Sequence, residues 1–291
     1  MVLTNLPKII YGTAWKKDQT KALVIQAVLQ VCGCIIVLPT RLRGNPRDFE
    51  ESILPANLNI IVRTWWAKHW QNYGSKIEFP GTISLSRQSK YTPIRGHDRS
   101  QPIPYDPSTP ISTQIRTSFE KSLSNLRTTW LDSYLLHSPL ENSVRNEEAW
   151  RTLCDLKSEG MVRRIGVSNA YDVQTLELLQ SIGKVDVVQN RWYEGNAWDV
   201  PVHKYCLERG IIYESFWTLT GSPLLYQHPL ITNIAKSKNA TNAQVVYKFA
   251  QSLSIIPLAG STNERHMKDG LESEILDIDE HLDELKGLIG H

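Results

Sequence analysis

The stretch DSYLLHSP (132–139), followed by a helical segment and then by RRIGVSN (163–169), decides the fold. Both runs are short, rich in strand-forming residues and bounded by polar or turn residues, which is typical of buried strands. Between them, Ala149, Leu153 and Leu156 recur at helical spacing. The segment therefore predicts two parallel strands joined by a crossover helix.

The same strand–helix unit recurs along the chain. Further predicted strands are DVVQNRWY (186–193), IIYESFW (211–217), LSIIPLAGS (253–261) and, near the start, KIIYGTA (8–14). Helical patterns fill the gaps, as in 113–126, where apolar residues share one face. This repetition favours a closed (β/α)8 barrel, a TIM barrel of the α/β class. A doubly wound sheet is the alternative, weakened because no GxGxxG turn follows a strand.

Length and composition fit one barrel. The chain has 291 residues, 41% hydrophobic and 21% charged, with a formal charge of +2, which excludes a collagen-like, disordered or membrane-spanning chain. Lysines and arginines are scattered, so nothing indicates nucleic acid or a membrane as a partner.

The spacing of Cys32, Cys34, Cys154 and Cys206 supports neither a metal site nor a disulfide framework. No signal-peptide pattern opens the chain, so we expect a cytoplasmic protein, a monomer or a weak homodimer.

Chemistry in a barrel of this kind sits at the carboxyl ends of the strands. Five motifs cover these ends: YLLHSP, GVSN, VDVVQNRWY, GIIYESFW and IIPLAGSTNERHMKDGLE. In this order and spacing they resemble the successive strands of the aldo-keto reductase family over 111–272 and, more weakly, over 7–30. The resemblance implies a single barrel over 1–291 that binds NAD(P)H and reduces a small-molecule aldehyde or ketone by hydride transfer, with an Asp–Tyr–Lys–His tetrad.

The resemblance also assigns site residues. His137 is similar to the histidine that orients the substrate, and Lys90 in SKYTP to the lysine that lowers the pKa of the catalytic tyrosine. Ser168, Asn169 and Gln189 resemble the trio that hydrogen-bonds the nicotinamide carboxamide. Taken singly, each has a structural alternative, such as a satisfied strand-end histidine or a helix N-cap.

The remaining assigned residues belong to the cofactor. Phe216 occupies the position of the aromatic residue that stacks on the nicotinamide ring, although it is equally compatible with a core position. The family's Lys and Arg that clamp the adenosine 2′-phosphate are replaced by Gly260 and His266, while Arg265 and Lys268 are possible substitutes. We therefore expect NADP(H), with NAD(H) poorly excluded. The residues assigned to the adenosine half of the cofactor are Ser261, Thr262, His266 and Asp269.

Residues 31–89 depart from the family pattern. The family has a strand ending in Asp-Thr-Ala, then the catalytic tyrosine and a helix; neither the Asp nor the Tyr is found here, and Tyr73 and Tyr91 do not match in position. The segment has three tryptophans within RTWWAKHW, which would form an aromatic patch if the segment were a binding module. It shows no convincing helical or strand period. We therefore expect a barrel disrupted at its second strand and following helix, with low solubility and Lys90 left as an unpaired cation.

A shifted reading frame explains the departure. From Arg47 to Asn72, joining the third base of each codon to the next two permits GFRGIDTACQPKHYREDLVGEALAKL, which holds the missing Asp, Tyr and helix. Tryptophan has one codon, so Trp65-Trp66-Ala67 can only give Val-Gly and Trp70-Gln71 can only give Ala. The printed frame resumes near Lys90. Our hypothesis is that 31–89 is largely a retained intron followed by out-of-frame translation.

Three functional classes remain open at this point. The first is an active carbonyl reductase, at the level of the family and in any spliced form. The second is a non-catalytic protein that binds a nicotinamide nucleotide, and the third is an inactive remnant. Cofactor binding without turnover would indicate the second class, and failure to fold cooperatively would indicate the third.

Overall fold

Eight parallel strands pair in chain order, and the first also pairs with the last, so that the sheet closes into a barrel. The computed structural model describes residues 8–12, 35–37, 86–98, 102–126 and 128–290. The strands are β1 Ile10–Gly12, β2 Ile35–Val37, β3 Ser86–Tyr91, β4 Leu131–Leu136, β5 Val162–Ser168, β6 Val187–Arg191, β7 Ile212–Phe216 and β8 Ile255–Ala259.

Helices connect these strands on the outside of the barrel. They are α1 Ile111–Leu126, α2 Ser143–Ser158, α3 Val173–Ile182, α4 Val200–Arg209, α5 Pro223–Tyr226, α6 Pro229–Ser237, α7 Asn242–Ser252, α8 Glu264–Glu272 and α9 Leu282–Ile289. Short 3-10 turns lie at Ile94–Gly96, Glu194–Asp199, Ser273–Ile275 and Asp279–His281.

The main core lies between the strands and the surrounding helices. Phe119 of α1 packs edge-on against Tyr134 of β4, with ring centroids 5.0 Å apart. Trp150 of α2 is fully buried and donates from its indole nitrogen to the carbonyl of Gly183 at 2.9 Å. Every residue of β4 is buried, as expected for a parallel strand covered on both faces. The predicted apolar face of α1 is confirmed, since Ile115, Phe119 and Leu126 are buried.

The strands predicted around 132–139, 163–169, 186–193, 211–217 and 253–261 all form, with ends within a few residues of those expected. The alternation of strands and helices is visible in the sequence because each strand is a short apolar run. The described strands therefore form a closed parallel barrel, which is consistent with the predicted (β/α)8 architecture.

The segment 31–89 differs in two places from what we expected. The second strand is not missing, because β2 pairs in parallel with β1 and β3. The last residues of the segment, from Ser86 onward, belong to β3 although 31–89 shows no convincing strand period, and Gln88 is fully buried. Three residues suffice to close the barrel because backbone hydrogen bonds, rather than particular side chains, make the pairing. The expected disruption after this strand falls on 38–85, outside the described residues.

The register brings the candidate site residues to one end of the barrel. Lys90 pairs with Leu135, Ser168 with Gln189, and Arg191 with Phe216. These pairs lie at the carboxyl ends of β3 to β7, where barrel enzymes place their chemistry. Among the helices that the structure describes, none has the length and apolar character needed to cross a membrane.

Candidate active site at the carboxyl ends of the strands

A polar network occupies the barrel interior below the strand ends. Glu214 of β7 is buried and accepts hydrogen bonds from Gln88 Nε2, at 3.0 and 3.1 Å, and from Gln189 Nε2 at 2.5 Å. Gln189 Oε1 in turn accepts a hydrogen bond from Lys90 Nζ. Because both oxygens of Glu214 accept from N–H donors, the network suits the ionised carboxylate. Lys90, Gln189 and Glu214 therefore form a continuous chain across the barrel.

Lys90 is thus not the unpaired cation that we expected. Burial lowers its pKa to about 8, while the charge of Glu214 acts in the opposite direction. Burial raises the pKa of Glu214, and the two glutamine donors and Lys90 oppose that rise. Sequence reasoning looked for a carboxylate on the second strand and missed this one on β7. The available signal was a charged residue within the buried strand IIYESFW.

His137 follows β4 and is held by the neighbouring strand. Its backbone N–H donates to the carbonyl of Tyr91 at 2.8 Å, and its Nδ1 lies 2.9 Å from Thr92 Oγ1. Burial lowers the pKa of His137 to about 4, and the nearby charges of Lys90 and Arg191 add to this effect. The imidazole is therefore neutral at pH 7 and can offer one N–H and one lone pair.

The three residues assigned to the carboxamide lie together after β5 and on β6. Ser168 Oγ donates to the carbonyl of Gln189 at 2.7 Å, and Asn169 Nδ2 donates to the carbonyl of His137 at 2.9 Å. Asn169 has a positive φ of 56°, a conformation that asparagine tolerates better than most residues. Ser168 and Asn169 also hydrogen-bond each other, whereas the side chain of Gln189 is held by Lys90, Gln88 and Glu214. The hydroxyl and amide groups of this set are therefore fixed in orientation.

Phe216 lies at the end of β7 beneath a guanidinium that sequence reasoning did not single out. The Cζ atom of Arg191 lies 5.2 Å from the centroid of the Phe216 ring and 4.5 Å from that of Trp217. Arg191 Nη1 donates to Asn169 Oδ1 at 3.1 Å. Arg191 therefore joins two of the assigned cofactor residues. The signal available in the sequence was an arginine at the end of the predicted strand DVVQNRWY.

The tyrosine next to Lys90 lies on the other side of the strand. Tyr91 is fully buried, and its hydroxyl donates to Gln114 Oε1 of α1 at 2.8 Å. Burial raises the pKa of Tyr91 far above its ordinary value. Successive side chains of a strand point to opposite faces, so Lys90 faces the barrel interior and Tyr91 faces the helices. Tyr73 falls outside the described residues.

A cavity of about 420 Å³ lies beside β1, β8 and the segment after β7. It brings together Ser261, His266 and Asp269, three of the four residues assigned to the adenosine half of the cofactor. Thr262, the fourth, is exposed and does not line it. Gly260 also lines the cavity, so the position expected for a clamping lysine contributes no charge. Lys268 is paired instead with Glu272 at 3.8 Å on the exposed face of α8.

The comparisons with known proteins agree with this fold. The family model "Aldo/keto reductase family" matches residues 98–286, well over half of the chain. The protein therefore belongs to the aldo/keto reductase family, a family of oxidoreductases.

Curated relatives match part of the chain. It is 33% identical over 153 residues to an uncharacterized oxidoreductase, YtbE, of Bacillus subtilis, covering 52% of this chain and 53% of that one. It is 30% identical over 187 residues to an NAD/NADP-dependent indole-3-acetaldehyde reductase of Schizosaccharomyces pombe, covering 60% and 65%. The chain thus spans between about half and two thirds of the length of these relatives.

Solved structures show the same fold over nearly the whole chain. An aldo/keto reductase from Brucella melitensis superimposes with a TM-score of 0.67 at 18% identity, covering 97% of this chain and 95% of that one. A mutant protein solved in complex with NADPH superimposes with a TM-score of 0.68 at 21% identity, covering 97% and 89%. At this identity the likeness concerns the architecture alone.

Proposed function

We propose that this protein binds NADP(H), with NAD(H) as a weaker alternative, and that its site is built for reducing an aldehyde or ketone to an alcohol. The observation that carries the proposal is that Lys90 of β3 and His137, which follows the neighbouring strand β4, lie toward the same end of the barrel as Ser168, Asn169 and Gln189. We also propose a single barrel over 1–291, a cytoplasmic location, and a monomer or weak homodimer.

The residues present fit a nicotinamide nucleotide. The cavity has the size of a small-molecule site and is mainly apolar, with a few polar side chains among its lining residues. Ser261 and Asp269 would hold the adenosine half of the cofactor there. Phe216 offers a flat ring on which the nicotinamide half would stack. When bound, the reduced nicotinamide supplies a hydride. Ser168, Asn169 and Gln189 would orient the carboxamide, with Gln189 exchanging one of its hydrogen bonds to Lys90, Gln88 or Glu214 when it does so.

The roles of Lys90 and His137 follow from their protonation. A carbonyl that gains a hydride needs a proton on its oxygen, and the donor must lie within hydrogen-bond reach. His137 is neutral at pH 7, so it can orient the carbonyl oxygen through a hydrogen bond. Lys90, with a pKa of about 8, carries a proton at pH 7 and can release it more readily than an ordinary lysine. Lys90 is thus the better acid of the two.

We further propose that the family's catalytic Asp and Tyr are absent from this chain because 31–89 is largely a retained intron followed by out-of-frame translation. The single-codon constraint at Trp65, Trp66 and Trp70 supports this origin. Sequencing the transcript across the region tests it. A message encoding the printed frame, without any spliced form, would overturn the idea.

A non-catalytic protein that binds a nicotinamide nucleotide is the second candidate. It is favoured by Tyr91, whose hydroxyl is bound to Gln114 on the helix side of β3 and is therefore remote from Lys90 Nζ. Calorimetric titration with NADPH and NADP+, combined with NADPH oxidation in the presence of a panel of aldehydes, separates the candidates. Binding with turnover supports the reductase, binding alone supports the second candidate, and no binding contradicts both.

A further inference from the structure

Arg191 forms hydrogen bonds with described residues along one edge of its guanidinium and none along the other. Nη1 donates to Asn169 Oδ1 at 3.1 Å and to the hydroxyl of Tyr171 at 3.4 Å. Nε is buried without a hydrogen-bond partner, and Nη2 donates to none of the described residues. Nε and Nη2 form the edge of the guanidinium that can donate two parallel N–H groups. An orphaned buried donor of this kind calls for an explanation.

The charge of Arg191 is also uncompensated within the described part of the chain. It forms no ion pair there, and the acidic residue closest in sequence, Glu194, accepts from the backbone N–H of Leu225 at 2.8 Å instead. The rings of Phe216 and Trp217 stabilise the guanidinium through their faces but bring no negative charge. Arg191 therefore gives the barrel mouth a local positive charge that suits an anionic ligand, whereas the charge of Lys90 is offset by Glu214 through Gln189.

We propose that the Nε–Nη2 edge of Arg191 binds a carboxylate on the carbonyl substrate, so that the site prefers anionic aldehydes or ketones to neutral ones. The inference deepens the proposed function and rests on it. A carboxylate matches two parallel donors in a plane, which a lysine at the same position would not provide. The stacked rings hold the guanidinium in one orientation, so little conformational entropy is lost on binding.

The position of Arg191 favours the substrate over the cofactor phosphates as its ligand. The cavity assigned to the adenosine half is lined by the segments that follow β7 and β8, and Arg191 does not line it. Arg191 ends β6, two strands from His137 and roughly 10 Å away at the usual strand spacing. Asn169 connects the two residues, since it donates to the carbonyl of His137 and accepts from Arg191 Nη1, so both lie at the same mouth. A substrate with a carbonyl at one end and a carboxylate at the other would bridge them.

The test compares two aldehydes that differ only in charge. Binding of 4-carboxybenzaldehyde and of its uncharged amide, 4-formylbenzamide, is measured by calorimetry with the full chain, with and without NADP+. We expect the carboxylate to bind at least about tenfold more tightly, the range given by one charge-assisted bidentate pair. Arg191→Gln should abolish the difference, and Arg191→Lys should restore only part of it. Arg95→Gln is the matched control, because Arg95 is an exposed arginine that contacts Ser138 and Pro139 after β4.

Three results would contradict the inference. Equal binding of the two aldehydes to the native chain would overturn it. So would an equal loss of both ligands in Arg191→Gln, with a lower Tm, since Arg191 would then only hold the Trp217 segment in place. Loss of NADP+ binding with unchanged carboxylate preference would assign the edge to a cofactor phosphate. The proposed function fails separately, if NADPH neither binds nor is oxidised while the carboxylate preference persists.

Discussion

Lys90 and Glu214 are linked across the barrel interior through one side chain, Gln189, which accepts from the lysine and donates to the carboxylate. The two charges lie on β3 and β7, strands that do not pair with each other. A lysine in such an interior is tolerated when an opposite charge and hydrogen bonds offset its desolvation. In this chain the carboxylate that offsets the charge of Lys90 is Glu214, on the opposite side of the barrel.

The network predicts that Glu214→Gln is destabilising. The new amide brings an N–H₂ group toward the donors of Gln88 and Gln189, so at least one buried donor loses its acceptor. We expect a loss of about 1–3 kcal/mol in the free energy of unfolding, measured by urea denaturation. Adding Lys90→Met to this variant should cost less than the sum of the single changes, because the buried cation is gone. Strict additivity would show that Lys90 and Glu214 are not coupled.

The lowered pKa of Lys90 predicts a pH effect on stability. Between about pH 8 and the ordinary lysine pKa of 10.5, the unfolded chain keeps a proton that the native chain has lost. The free energy of unfolding contributed by this residue therefore rises with pH in that window and falls as the pH drops through 8. Relative to Lys90→Met, the native chain should gain stability from pH 7.5 to pH 10 in urea unfolding experiments. A constant difference between the two proteins would contradict the shift.

His137 should stay neutral in mildly acidic solution. Burial lowers its pKa from the ordinary 6.5 to about 4, so the unfolded chain binds a proton before the native chain does. The stability contributed by this residue is present above pH 6.5 and is lost as the pH falls through 4. We expect its Cε1–H resonance, assigned by comparison with His137→Gln, to show no titration between pH 7 and pH 5.5. A midpoint near 6.5 would mean that the imidazole is solvated.

The parts of the fold that sequence predicts are those with strong periodicity. The strands around His137 and Gln189 and the helix before β4 are short apolar runs or amphipathic patterns, which a single sequence displays directly. The β2 strand escaped prediction because Ile35–Val37 lies in a segment without a clear period. Its partners β1 and β3 are distant in sequence, and pairing of this kind leaves no local signal.

The residues of the candidate site likewise divide into those that the sequence predicts and those that it does not. Lys90, His137 and the Ser168–Asn169 pair were found because they follow predicted strands, and the structure brings them to one barrel end. The roles of Glu214 and Arg191 were missed, since they depend on contacts across strands rather than on spacing along one. The expectation about Lys90 was wrong for this reason.

The cavity predicts how to strengthen preference for NADPH. His266 occupies the position of the family's clamping arginine and lines the cavity, while Gly260 supplies no cation. His266→Arg should bind NADPH about tenfold more tightly, as one added charge-assisted hydrogen bond allows, and leave NADH binding unchanged. Calorimetric titration with both nucleotides checks this. His281→Arg, outside the cavity after α8, adds the same charge as a control. If it gives the same gain, the effect is general electrostatic attraction.

The last prediction concerns turnover. The family uses a tyrosine to protonate the carbonyl oxygen, and general acid catalysis of this kind contributes about 10²–10⁴-fold. The comparison protein is a version in which the shifted-frame sequence of 47–72 directly follows Gln30. We expect the chain as printed to reduce carbonyl substrates more slowly than this version, by at least that factor. Any residual rate should depend on Lys90, because Tyr91 is bound to Gln114 on the helix side of β3. The measurement is NADPH oxidation with an aromatic aldehyde, with Lys90→Met in both backgrounds. Equal rates of the two chains would show that another residue donates the proton and that the tetrad assignment is wrong.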